Sequence, residues 1–201
     1  MGIEIASSNL LIVEGEEERL FFEALKNYMQ LEGIQIIPIG GKDKIHANLK
    51  ALVKSPRFSN VFSINIVRDA NTNPKGAFQS VCAALRGAGL PVPQKALQAV
   101  GENPRVCIMI LPQEDTPGML EDICLRAIEN DPAYFCAHKY FDCLKDQGMP
   151  LPKNSSKALI QVFLASRREP GKRLGEAAQA GYFPWDNKAF DGIKEFFKMI
   201  S

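Results

Sequence analysis

The stretch LLIVEGEEERLFFEAL packs four glutamates, Glu14, Glu16, Glu17 and Glu18, directly behind an apolar run. A strand needs no carboxylate at its tip to fold, and like charges this close repel one another unless a cation sits among them. Acids and glycines recur behind three further apolar runs: Gly40-Gly41-Lys42-Asp43, Arg68-Asp69-Ala70-Asn71 and Glu114-Asp115. Carboxylates that converge on a small area cannot all stay ionised without a counter-charge, and hard oxygen donors are what Mg²⁺ or Mn²⁺ requires. Glycines at 15, 40 and 41 let the backbone turn sharply and let a phosphate come close. Metal and phosphate together point to phosphoryl chemistry.

The elements that must position these acids follow from periodicity. LLIV (10–13), IQIIPI (34–39), VFSINIV (61–67) and VCIMIL (106–111) read as buried strands. Helical patterns follow each: from Glu16, with Phe21, Phe22, Leu25, Tyr28 and Met29 on one face and Gly33 as its stop; through His46, Leu49 and Val53; around 76–87; and from about 117 to 128, with Thr116 as N-cap and Pro117 at the first position. This alternation predicts an α/β, Rossmann-like fold with a mainly parallel central sheet of about four strands flanked by helices. In such a sheet all carboxyl ends share one rim, and that rim binds ligands. Residues 1–130 form the expected α/β core. Residues 131–201 read as a helical C-terminal extension packed on it, with a further helix in PAYFCAHKYFDCLKDQG, a loop in MPLPKNSS, a helix beginning near Lys157 and an aromatic cluster (Tyr182, Phe183, Trp185, Phe190, Phe196, Phe197) expected in the core.

Composition narrows the class. The chain has 201 residues, 46% hydrophobic and 23% charged, which suits one globular domain with elaborations. No apolar run reaches the roughly 18 residues of a membrane span, and the N-terminus lacks a signal-peptide pattern, so a cytoplasmic location is expected. Five cysteines without C-x-x-C spacing read as buried thiols. The net charge of +1 hides a basic stretch over 153–173, so contact with nucleic acid would be local, through Lys153, Lys157, Arg167 and Arg168, with Lys42 on the second strand's loop. GGKDK lacks the spacing of a Walker loop, and the two histidines, His46 and His138, have no partner at catalytic spacing.

LLIVEG with IVRDAN about 55 positions on resembles the topoisomerase-primase (TOPRIM) domain, whose pattern is hhhhEG followed by hhhDxD. VEGEEERLFF, IPIGGKDKI, PGMLEDICL and KALIQVFLASR together resemble bacterial TOPRIM-like proteins akin to the nuclease domains of the OLD (overcoming lysogenization defect) family. The resemblance implies a TOPRIM fold with the glutamate strand beside the aspartate strand, divalent metal binding and cleavage or joining of nucleic-acid phosphodiesters, DNA ahead of RNA. It makes Glu14 a metal ligand or general acid/base, Asp69 a metal ligand, Glu121 and Asp122 the acidic group of a second metal, and Lys157 the lysine near the scissile phosphate. Glu18, one helical turn beyond Glu14, could join the metal shell. It also implies, by analogy with the OLD nucleases, a possible ATPase partner. Where the family carries a second aspartate this chain has Asn71, an oxygen ligand without the charge. A non-catalytic binding module with a degraded metal site is therefore the alternative reading, and a phospho-receiver domain is a poor third.

Each acid also has a structural reading. Glu14, Glu121 and Asp122 suit a helix start, where the dipole favours acids by about 0.3–1 kcal/mol. Glu16, Glu17 and Glu18 suit a solvated first turn, and Asp43 a cap.

Overall fold

The structure, a computed structural model, describes residues 4–113 and 115–201. Glu114 and the side chain of Lys42, both singled out above, lie outside the described residues.

Four strands, β1 (Asn9–Val13), β2 (Ile34–Pro38), β3 (Ser63–Asp69) and β4 (Arg105–Leu111), form one parallel sheet in the order β2-β1-β3-β4. The pleat sends alternate side chains to two separate cores. Leu11, Val13, Val67, Cys107 and Met109 face one layer, while Leu10, Ile12, Ile64, Ile66 and Ile108 face the other. Near-continuous Leu/Ile/Val runs are what a sheet covered on both sides demands.

The two layers are unequal. Helices α2 (Ile45–Leu52) and α3 (Pro74–Gly87) cover one face. The other carries α1 (Glu16–Tyr28), α4 (Leu120–Ala127), α5 (Pro132–Asp146), α6 (Ser155–Ala165), α7 (Leu174–Gln179) and α8 (Asp191–Ile200). Its core joins Phe21 and Phe22 of α1 to Phe183, Trp185, Phe190, Phe196 and Phe197, all buried. Rings of Phe21 and Trp185 meet edge to face at 5.0 Å. The C-terminal aromatics are thus core.

Because α1 leaves one face and α3 the other, β1 and β3 are neighbours whose connections depart in opposite senses. That is the topological switch point of an open α/β sheet, and a crevice opens outside the carboxyl ends of those two strands.

Several local expectations are corrected. Helix α4 starts at Leu120, not Pro117: Thr116 is used in a bridge to Gln113 and Gly118 in one to Asn71, so the chain stays extended until Met119. Gly33 (φ 76°) lies in the turn into β2, because α1 already ends at Tyr28. Asp43 sits inside a short 3₁₀ turn, Lys42–Lys44, with no side-chain cap. Cys82, Cys107 and Cys124 are buried, but Cys136 and Cys143 are exposed on α5, a helix that buries only Ala137. Among the described residues no helix is long and apolar enough to cross a membrane.

Candidate functional site

Glu14 and Asp69 both sit at the switch point, yet the pleat turns them to different sides. Leu10 pairs with Ile64 and Ile12 with Ile66, so the same register carried one pleat further sets Glu14 opposite Arg68. The side chains confirm it. Arg68 Nε lies 3.7 Å from Glu14 Oε1, and both side chains are largely buried, 11% and 19% exposed. Arg68 Nη1 donates to Ser80 Oγ of α3 at 3.0 Å, which anchors the guanidinium on the α3 face. This arginine is a cation the bare motif did not single out.

Asp69, one residue on, faces the other layer. Its Oδ1 accepts the backbone N–H of Leu120 at 3.0 Å, so Asp69 satisfies an orphan donor at the start of α4. Burial pushes the Asp69 carboxyl up to about 8, and the charges of Glu121, Glu14 and Glu18 push in the same direction against that hydrogen bond. The four carboxylates are therefore electrostatic neighbours over the rim. Glu121, buried in the first turn of α4, is also raised, chiefly by burial. Lys157 opposes that shift, with Nζ 3.6 Å from Glu121 Oε1. Glu18 adds to it.

Glu18 folds back over Gly15, where a Cβ would stand 3.0 Å from its Oε2. Glu16 pairs with Arg19. Glu17 is not merely solvated: its Oε2 accepts the N–H of Gly175 at 3.0 Å, capping α7. Gly15, Glu16, Glu17, Glu18, Glu121, Lys157, Gln161 and Arg173 line one cleft of about 510 Å³. Its walls are the amino-terminal ends of α1, α4, α6 and α7, whose dipoles favour the acids set there.

Asp122 is committed to structure: Oδ2 accepts the Met119 N–H at 2.7 Å and Oδ1 the Ser156 hydroxyl at 2.5 Å, tying α4 to α6. Asn71 is exposed and left-handed (φ 51°), a conformation asparagine tolerates better than most residues. Its backbone exchanges two hydrogen bonds of 2.7 Å with Gly118, and its amide reaches back to the Asp69 carbonyl at 3.5 Å. Lys157 is exposed at 58%, on a turn fixed by Asn154 Oδ1 accepting the Lys157 N–H. Lys153 and Arg168 are exposed. Arg167 is engaged elsewhere, bound to Asp131 at 3.0 Å and stacked on Phe163 at 4.2 Å, a tie between α5 and α6. The turn at Gly40-Gly41 does not leave its amides open to a phosphate throughout, since the Gly41 N–H is spent on the Glu14 carbonyl at 2.7 Å.

The donors fit a hard divalent cation in kind, but they are not closed around a point. Among the described residues no three His, Cys, Asp or Glu side chains form a group able to hold a metal ion. Glu14 is drawn to Arg68, and Asp69 to the start of α4.

A family model described as "Protein of unknown function (DUF3226)" matches residues 8–201. The chain belongs to that family. Among solved structures, the C-terminal region of the Burkholderia pseudomallei OLD protein is similar at 13% identity and a TM-score of 0.54, over 98% of this chain and 100% of that one. The C-terminal region of the Xanthomonas campestris pv. campestris OLD protein is similar at 16% identity and a TM-score of 0.48, over 88% and 85%. The Burkholderia likeness shows a shared fold across nearly the whole chain of this family member. Among curated proteins, none matches.

Proposed function

We propose that this protein carries out divalent-metal-dependent phosphodiester chemistry on nucleic acid, in the manner of the TOPRIM and OLD nucleases its motifs resemble. The observation that carries the reading is the gathering of Glu14, Glu18, Asp69 and Glu121 over the carboxyl ends of β1 and β3, where the charges of the other three add to the burial that raises the Asp69 carboxyl. The fold shared with the OLD C-terminal region supports it.

Glu14 and Asp69 would hold Mg²⁺ or Mn²⁺, with Glu18 and Glu121 on the cleft side and the Asn71 amide as a neutral oxygen ligand. When bound, the ion supplies Lewis acidity toward a phosphodiester oxygen. Lys157, exposed at the cleft mouth beside Glu121, would meet the negative charge that builds on the phosphate oxygens in the transition state. Lys153, Arg168 and Arg173 offer further charge to the phosphate backbone. A separate ATPase partner and a preference for DNA extend the OLD analogy.

The test is supercoiled plasmid incubated with protein and Mn²⁺. Wild type should nick it, and Glu14→Ala should lower the rate by about 100-fold or more. Equal rates in the two proteins would trace the activity to a contaminant and overturn the proposal.

A binding module that keeps the fold without cleavage is the second reading. It is favoured by Asn71, whose left-handed backbone and clasp with Gly118 account for an asparagine there with no call on its oxygen. Plasmid left intact by wild type would support it.

A further inference from the structure

The acidic rim holds its own counter-cation. Arg68 lies where the register of β1 and β3 must put it, beside Glu14, with its guanidinium largely out of water. The separation of 3.7 Å is longer than a hydrogen bond, and Arg68 Nε is buried without a hydrogen-bond partner. The pair is thus held by charge and by the anchor on Ser80 rather than by a two-pronged clamp. A divalent ion ligated by Glu14 would share that carboxylate with a fixed positive charge a few ångströms away, and in a partly buried site such repulsion weakens binding. Asn71 compounds the effect, since it contributes oxygen and no charge.

We propose that Arg68 sets the metal affinity of this site: it balances Glu14 in the resting protein, and a divalent ion is bound tightly only as the guanidinium is drawn off that carboxylate. This rests on the metal-dependent reading above. The phosphodiester of the substrate is the anion suited to draw it off, because a phosphate matches the guanidinium fork as well as a carboxylate does. Metal and nucleic acid then bind cooperatively, and the free protein holds metal weakly.

Mn²⁺ binding, read from the free-ion electron paramagnetic resonance signal, tests this without reference to activity. Arg68→Met and Arg68→Gln should each bind Mn²⁺ about 10-fold tighter than wild type or better, and Glu14→Gln placed in either background should remove the gain. Folded Arg68 variants that bind Mn²⁺ no tighter than a wild type that does bind it would overturn the role of Arg68 and leave the metal reading standing. No binding by any of them up to about 10 mM would sink the metal reading, and this inference with it. A measurement on wild type covers the case of variants that do not fold: the Arg68 Nε–H nuclear resonance should move on titration with Mg²⁺, and an unmoved resonance at saturation would also overturn the proposal.

Discussion

Asp69 sits in an environment that a strand-end acid does not by itself suggest. Its carboxyl is raised from an ordinary 3.8 to about 8, so the folded chain keeps a proton that the unfolded chain has lost across that interval. Stability falls with pH wherever the folded state binds more protons. The contribution of this group is therefore whole below about pH 4 and is lost as pH rises toward 8. Asp69→Asn keeps an oxygen for the Leu120 N–H and removes the charge. It should stabilise the protein by on the order of 5 kcal/mol at pH 8.5 and by only about 1 kcal/mol at pH 4.5, as read by urea denaturation at the two values. Equal effects at both would show that Asp69 is not held protonated. Glu14 and Asp69 could be placed from the sequence at the ends of two strands, and they stand there, whereas Glu18 and Glu121 lie in the first turns of α1 and α4. Arg68 was legible only with the register in hand, because what singles it out is the residue it faces across β1 and β3, and a resemblance that sets those strands side by side does not fix which residues pair. Asp122 shows the converse. Its neighbour Glu121 opens onto the cleft, while its own two oxygens are consumed by Met119 and Ser156, and no sequence pattern separates those two fates.

At the scale of elements, the site is framed by how closely α1 and α7 approach. Gly175 has no room for a side chain: a Cβ would stand 2.5 Å from the Glu17 carbonyl oxygen and 2.6 Å from Leu20 Cβ. The close approach brings the Gly175 N–H onto the Glu17 carboxylate and sets Arg173 at the cleft wall. Gly175→Ala should force the two helices apart and lower stability by about 2 kcal/mol, seen as a lower urea midpoint with an unchanged slope. An unchanged midpoint would contradict the packing described. The strands were legible to within two residues, since runs such as LLIV and VCIMIL suit a sheet buried on both faces. The start of α4 was not. Thr116-Pro117 carries a strong local start signal, but the chain there is held extended by bridges to Gln113 and Asn71, and a long-range contact outweighed a local propensity. In the same way, Glu17 reads locally as a solvated acid and becomes a cap only through a helix 158 positions away.

The whole molecule places chemistry at one end and stability along its length. The sheet order β2-β1-β3-β4, with two of the described helices on one face and six on the other, places the switch point between β1 and β3. Glu14, Glu18, Asp69 and Glu121 gather there, while the aromatic core around Phe21 and Trp185 binds the C-terminal helices to the sheet. Metal-dependent chemistry here requires that the acids of this rim close on one cation. Anomalous diffraction from crystals soaked in Mn²⁺ decides it most directly. A Mn²⁺ peak is expected over the carboxyl ends of β1 and β3, with oxygens of Glu14 and Asp69 about 2.1 Å away and Arg68 displaced from Glu14. Ordered Glu14 and Asp69 without a peak between them, at a concentration that fills other sites on the same molecule, would contradict it.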